Sequence, residues 1–534
     1  MKTIDLDLSP EQYATPDLLR RAVANKLSVS PDDLGHVGVL RRSLDSRRGR
    51  LVYHTAIEVF MAGEEYLPPD FDGHYRDCHA CPPVIIVGAG PAGLFAALRA
   101  LQVGRRPVIL DRGKKVSDRK YDIAAIAREQ RVDPDSNWCF GEGGAGTYSD
   151  GKLYTRSTKR GNVRDVLERF VEHGADPDIL IDAHAHIGTD RLSGIIARMR
   201  ATIEGFGGEY HFSTRVVDLV VKSDGAQQRV CGVVDADGNR YEGVAVVLAT
   251  GHSARDIYRL FHRRGWLLEA KPFALGIRVE HPQPLINTIQ YHLSHNSQLS
   301  ESSARTPGLN SQLPYLPPAA YSLTTQVDGH GVFSFCMCPG GVIVPAATAP
   351  GQQVINGMSN SRRNSPYANS GIAVTVAPAD IPQYSHLGPL ALLHFQQEVE
   401  ENLFHAMGDT LTAPLQRLTD FCQNRLSQSN NPSGYMGQTA NAPVHELLPP
   451  FIVKALQHGF RQFDHHMHGF YTDQASVLAV ESRTSSPVRI PRGIDYQHPQ
   501  LRGLYPCGEG AGYAGGIVSS ALDGINVINN IYNL

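Results

Sequence analysis

Cysteine is sparse, with 8 in 534 residues. That excludes a disulfide-stapled scaffold and predicts a reducing compartment. Neither charge sign dominates: 50 Lys and Arg face 53 Asp and Glu, a net −3 with His neutral. Such a balance argues against a chain organised as a whole around nucleic acid or an anionic membrane. Long apolar runs are missing too. The best, Val84 to Leu110, is broken by Gly88, Gly90, Pro91, Arg99, Arg105 and Arg106, whereas a spanning helix needs about 20 apolar residues. The opening MKTIDLDLSPEQ has no apolar core of a secretory signal. Tryptophan is rare, at 2 residues.

What is present is 42% hydrophobic and 19% charged residues, which excludes a disordered chain. A length of 534 residues exceeds one ordinary core, since domains hold roughly 100–200 residues. The expectation is a soluble, cytoplasmic, multidomain protein. Its 51 glycines predict several places where backbone turns with positive φ or approaches something closely.

Residues 1–70 read as a β-α-β-β module. Ile4, Leu6 and Leu8 alternate with acids, and Leu18, Leu19, Ala22, Val23 and Leu27 follow helical spacing. Val37–Leu40 and Leu51–Met61 read as strands around RRSLDSRRGR, Arg41 to Arg50. Those five arginines form either a solvated hairpin tip or a grip for an anionic or protein partner. Residues 71–82 read as a linker holding Cys78 and Cys81, with no second CxxC to complete a zinc site. Ser300–Ser322 and Ser427–Pro443 read as loops.

The strongest signal starts at Val84. VIIV suits a strand buried on both faces, GAGPAG spans 88–93, and Leu94, Leu98 and Leu101 share a helical face. The strand VIL at 108–110 closes on Asp111 and Arg112. Gly88 serves the tight turn, Gly90 lets a pyrophosphate approach, and Gly93 lets helix and strand pack closely. Pro91 and Ala92 open the helix whose N-terminal N–H groups face phosphate. Asp111 stands 23 residues after Gly88, near the ~20 at which an acid meets a ribose. These features predict dinucleotide binding without choosing between FAD and NAD.

Two distant segments bear on that choice. VAVVLATG, 244–251, is an apolar strand that follows Thr214–Val221 and Val230–Val234, read as parts of a three-stranded crossover. LYPCGEGAGYAGGIVSSALDGINVINNI, starting at Leu504, joins a strand end, a glycine turn and a final helix. A third glycine cluster, FGEGGAGTYSDGKLYTR at 140–156, offers Gly143, Gly144 and Gly146 for close approach and Ser149, Asp150 and Lys152 for polar contacts.

These segments resemble those of the glutathione-reductase and hydroxybenzoate-hydroxylase class of flavoproteins. More narrowly, FGEGGAGTYSDGKLY, ATGHSARD, KPFALGIRVEHPQ, FSFCMCPGG, NGMS, ESRTSSPV and GEGAGYAGGI resemble bacterial FAD-dependent proteins described as NAD(FAD)-utilising dehydrogenases. CHAC and the polar 427–443 segment depart from that pattern. The resemblance implies an α/β fold: an FAD-binding Rossmann-like domain from 83–270 and 456–534, an inserted mixed-sheet substrate domain over 271–455, and the small N-terminal α+β module. It assigns Val216 and Val217 to the adenine and Ala249, Thr250 and Gly251 to the nucleotide edge. It assigns Glu509 to the ribityl or pyrophosphate region, with Gly515, Gly516 and Ile517 opening a helix toward the flavin. NAD(P)H would bind only transiently, because neither GEGGAG nor GAGYAG has the full strand–turn–helix–strand setting.

Flavin would carry the redox chemistry, leaving substrate contacts to the middle section. Arg278 and Glu280 alternate with Ile277 and Val279, so they face either a ligand or one another. Cys336 and Cys338, two apart, leave one strand face. They form either a redox dithiol or small packing groups. Asn356, Ser359, Arg362, Asn369, Glu481, Arg483, Thr484, Ser485 and Ser486 are further polar candidates. His465, His466 and His468 cluster without metal-ligand spacing, and no metal is expected.

Overall fold

Four short apolar strands and the N-terminus of one helix frame the nucleotide half of the molecule. The computed structural model describes residues 1–47, 51–155, 160–224, 227–292 and 315–532. Arg48 and Arg50 of the basic hairpin, Arg156, and most of the expected Ser300–Ser322 loop lie outside these residues.

Pro83–Val87 is buried over its last four residues. Its neighbours are Arg106–Leu110 on one side and Val246–Leu248 on the other, in a five-stranded sheet completed by Glu209–His211 and Leu504–Pro506. All pairings are parallel, as expected of apolar strands joined by helices. Two strands from distant parts of the chain therefore close one sheet, and the segment after residue 500 is integral to it.

The helix Pro91–Gln102 starts at Gly90 and carries proline at its first turn, where the missing N–H costs nothing. Gly93 permits its seating: a Cβ there would lie 1.9 Å from the Gly88 carbonyl oxygen. The final helix, Ile517–Ile531, lies across it in the same apolar core. The crossover strands are Val216–Asp224, Gln227–Asp235 and Arg240–Glu242, extended by Leu501–Arg502. Its third strand is thus the short 240–242 element, while 246–248 belongs to the main sheet.

The second half is a seven-stranded sheet. Its order is Thr324–Val327, His330–Cys338, Tyr367–Val376, Phe273–Pro282, Ser476–Glu481, Ala413–Arg417 and Thr439–Asn441. One large core joins this sheet to the helices Ala391–Ala406 and Pro450–His466. The expected boundary at 455/456 therefore falls inside a helix, and the sheet takes in Ser476–Glu481. The physical reason is continuous burial: Ile452, Leu456, Phe460 and Phe463 pack with Val477 and Val480.

The N-terminal module has strands Lys2–Leu8, Val52–Met61 and Leu34–Asp45, in that spatial order and antiparallel, beside the helix Pro16–Leu27. Its second strand is longer than expected and takes in Arg41 and Arg42. Arg42 is committed to the main body: Nη2 meets Asp182 at 2.6 Å, Nη1 meets Asp178 at 3.1 Å, and its backbone N–H donates to the Ile181 carbonyl. Arg47 pairs with Asp45 at 2.7 Å.

Candidate cofactor and active site

The nucleotide sheet's carboxyl ends open into a cleft of about 1440 Å³, continuous with solvent. All three glycine segments meet there: Gly88, Gly90, Pro91 and Ala92; Gly144, Gly146, Ser149, Asp150 and Lys152; Glu509, Gly516 and Ile517. Asp111, Arg112, Val216, Ala249, Thr250 and Gly251 also line it. This is the crevice at strand carboxyl ends where open α/β sheets bind ligands.

Asp111 is buried, and both carboxylate oxygens accept backbone hydrogen bonds, Oδ2 from Ala89 and Oδ1 from Gly113, each at 2.8 Å. Each oxygen keeps a second lone pair for a ribose hydroxyl. Arg112 faces inward too, with its guanidinium 4.5 Å from the Phe140 ring centroid and paired with Asp256 and Asp135.

The 141–146 turn is held from beneath by Arg119. This fully buried side chain donates to the carbonyls of Asn137, Trp138 and Glu142, each at 2.8 Å, and of Gly144 at 2.9 Å. Gly143 does not line the cleft: its N–H donates to the Ala89 carbonyl at 2.8 Å, tying the two glycine turns together. An added Cβ there would strike Thr147 and Ile196. Nothing in the local pattern marks Arg119, because its partners lie 18 to 25 residues on.

At the C-terminal turn, Gly516 has φ +114, a conformation side chains rarely adopt. Its N–H donates to Glu509 Oε1 at 2.8 Å. Glu509 Oε2 stands 3.8 Å from His252 Nε2. Burial pushes the Glu509 carboxyl up to about 7. Burial, reinforced by Arg483 and Arg255, pushes His252 down to about 3. A neutral imidazole thus faces a carboxyl poised to hold or release a proton near neutrality. Gly515 stands outside the lining and donates to Ser519 Oγ at 3.0 Å.

Below His252 lies a cluster that sequence reasoning missed in part. Glu400, fully buried on the helix Ala391–Ala406, accepts from Arg255 at 2.9 Å and from Arg483 at 2.8 and 2.9 Å. Arg483 lines the cleft and donates to Ser253 Oγ at 3.1 Å. Arg483 was a candidate by motif. Glu400, in an unremarkable amphipathic helix, had no signal.

The strand residues fare differently. Phe273–Pro282 is the central strand of its sheet and buried almost throughout. Arg278 is 0% exposed and bonds Glu481 at 2.7 Å and Asn369 at 2.6 Å. Glu280 accepts from the Gly434 N–H at 3.1 Å, and burial pushes it up to about 7. Neither lines the cleft, so the expected ligand-facing charges are internal struts. Val217 also points away, 39% exposed.

Cys336 lines the cleft with Phe335 and Asn356, whereas Cys338 is buried behind it. Register slips between Phe335 and Cys338, and Cys336 has φ +46. This bulge breaks the alternation that was to put both thiols on one face. Thr484 and Asn356 reach the cleft. Ser359 holds Asp150, which also pairs with Arg363 at 2.7 Å. The His465–His468 cluster is exposed, and among the described residues no group of three His, Cys, Asp or Glu is arranged to hold a metal.

The cleft fits an extended dinucleotide. Added Cβ atoms at Gly251 and Gly516 would meet nothing within 4 Å, and one at Gly90 would meet only Gly144. All four glycines line the cleft. The space in front of these backbones is thus open for a ligand to touch.

Known proteins resemble this chain to different degrees. Residues 272–484 match the family described as FAD-dependent protein, C-terminal domain-like. Residues 1–60 match a domain of unknown function. An uncharacterized protein of Clostridium beijerinckii is 36% identical over 535 residues, 96% of each chain. The chain belongs to the same family as that protein. Among solved structures, CtdE in complex with FAD aligns over 85% of this chain and 88% of its own at 9% identity and TM-score 0.32. A geranylgeranyl bacteriochlorophyll reductase-like protein of Thermoplasma acidophilum aligns over 84% of this chain and 77% of its own at 12% identity and TM-score 0.32. Both likenesses are too loose to bear on function. The FAD-dependent family description agrees with the cofactor expected from the glycine segments. No helix among the described residues is long and apolar enough to cross a membrane.

Proposed function

We propose that this chain is an FAD-dependent oxidoreductase acting on a small molecule, of the kind described as NAD(FAD)-utilising dehydrogenases. The observation that carries the reading is the convergence of three glycine turns and Asp111 on one cleft. Bound there, flavin would supply the hydride or electron transfer. The protein's own groups have separate tasks. Asp111 accepts from the ribose hydroxyls. The N-terminus of Pro91–Gln102 offers N–H groups to the pyrophosphate. The N-terminus of Ile517–Ile531 places a positive dipole end at the other end of the cleft. Glu509 holds or releases a proton near neutrality beside the neutral His252 imidazole.

The electron donor in this reading is NADH or NADPH, bound transiently in the same cleft. A binding role through the Arg41–Arg50 hairpin has less support, since Arg42 and Arg47 are already paired.

Anaerobic mixing of FAD-loaded protein with each nicotinamide tests the reading. Bleaching of the oxidised-flavin bands by one nicotinamide, followed by recovery with a small-molecule acceptor, is expected. A loaded flavin that neither nicotinamide reduces would contradict the donor assignment. One that no donor and acceptor pair cycles would contradict the enzyme reading.

A further inference from the structure

Two thiols stand at the wall of the cleft formed by the strand His330–Cys338. Cys336 lines the cleft, and Cys338 lies two residues on, buried, with its Sγ donating to the Cys336 carbonyl at 3.3 Å. The Cys338 thiol also acts electrostatically on the Cys336 thiol. The register slips between Phe335 and Cys338 and Cys336 has φ +46, so the backbone between the two thiols is kinked, and a disulfide across the one intervening residue forms by reorientation of the side chains at this bulge.

The surroundings make the two sulfurs unequal. The Cys338 thiol is the largest influence lowering Cys336, and Lys152 and Arg278 add to it. Burial and Asp150 oppose them, and the balance brings the Cys336 thiol down to about 6. Cys338 is pushed up by the Cys336 thiol and by burial. Lys152 is fixed beside the pair by donating to the Met337 carbonyl, and Arg278 Nη2 donates to the Cys336 carbonyl at 3.2 Å. The carboxylates that act on the pair are Asp150, Glu481 and Glu509. A cleft-lining thiol held low beside a buried thiol held high is the division of labour of an attacking and a resolving cysteine.

We propose that Cys336 and Cys338 form a redox-active dithiol that exchanges two electrons with the bound flavin. The inference rests on the FAD reading above. In the oxidising direction both S–H bonds are lost and one Sγ–Sγ bond forms. Two electrons and two protons pass to oxidised FAD, giving FADH2. The reverse direction breaks the disulfide and restores both thiols at the expense of FADH2. No further oxidant or reductant enters the exchange. The holoprotein then stores two electron pairs, one in the flavin and one in the sulfurs.

Anaerobic reductive titration of the air-oxidised, FAD-loaded protein tests this, paired with thiol counting in denaturant. The wild type is expected to take four electrons per FAD and to show six free thiols when oxidised against eight when reduced. The Cys338→Ser variant is expected to take two electrons and to show a long-wavelength absorption band from the Cys336 thiolate against oxidised flavin. That band is expected to vanish in Cys336→Ser. A wild type that binds FAD, takes only two electrons and shows eight thiols after oxidation would overturn the proposal while leaving the FAD reading intact. A chain that binds no FAD would overturn the parent reading and this one with it.

Discussion

Gly524 packs against Ala92 so closely that a Cβ on Gly524 would lie 2.1 Å from the Ala92 carbonyl oxygen. The two residues belong to the final helix and to the first glycine-turn helix, so the contact joins the C-terminal segment to the nucleotide site. Alanine ordinarily favours a helix over glycine by about 0.8–1 kcal/mol. Here the clash is with backbone, and overpacking of this kind costs about 1–3 kcal/mol. Gly524→Ala is therefore expected to lower Tm and weaken FAD retention through gel filtration. A variant that is more stable than wild type would contradict the packing.

Asp111 is expected to govern cofactor affinity. Asp111→Ala removes the two acceptors that hold the Ala89 and Gly113 N–H groups, and with them the acceptor proposed for the ribose. Hydrogen bonds to charged groups contribute about 1.5–3 kcal/mol, which corresponds to a fall of roughly ten- to hundredfold in FAD affinity. Fluorescence titration of the apoprotein with FAD measures it. Unchanged affinity would remove Asp111 from the site.

Arg119 is expected to be the organising residue of the 141–146 turn. Arg119→Met leaves the buried Asn137 and Trp138 carbonyls without their donor and leaves those of Glu142 and Gly144 only their bonds from Thr147, each unsatisfied carbonyl costing about 1–3 kcal/mol. A lower Tm and faster proteolytic cleavage within 137–147 are expected. Arg119→Lys should be intermediate, because one ammonium cannot reach four carbonyls as a planar guanidinium does. Cleavage at the wild-type rate in both variants would show that the turn holds itself.

Glu280 yields a pH prediction. Burial raises its carboxyl from 4.5 to about 7, so the folded state holds a proton that the unfolded chain releases between those values. Stability from this residue is fully present below about 4.5 and is lost as pH rises through about 7, a change on the order of 3 kcal/mol. Glu280→Gln keeps an acceptor for Gly434 and does not titrate. Its stability relative to wild type should thus increase between pH 4.5 and 7. Denaturant unfolding across that range checks it, and a pH-independent difference would contradict the buried, protonated carboxyl.

The nucleotide half was legible in the sequence because its signals are local. VIIV, GAGPAG and Asp111 lie within 28 residues, and each residue acts through its own backbone or a near neighbour. The half built on the seven-stranded sheet was less legible because its polar residues are set by tertiary pairing. Arg278 and Glu280 have the alternation of a half-exposed strand, yet Phe273–Pro282 became the central strand of seven. Buried partners such as Glu481 and Asn369 absorbed charges that periodicity would send outward. Cys336 reached the cleft through a bulge that period-two reasoning cannot foresee. Glu400 and Arg119 act across long stretches of chain and leave no mark nearby.

The cleft between the three glycine turns is expected to hold FAD. The most direct measurement is the identity and stoichiometry of flavin released by heat from the purified, FAD-reconstituted chain, run beside Gly90→Val, which places a side chain in the open space before Gly144. One FAD per wild-type chain, and little or none in the variant, is expected. A wild type that stays colourless after reconstitution, or a variant that binds FAD as well as wild type, would contradict it.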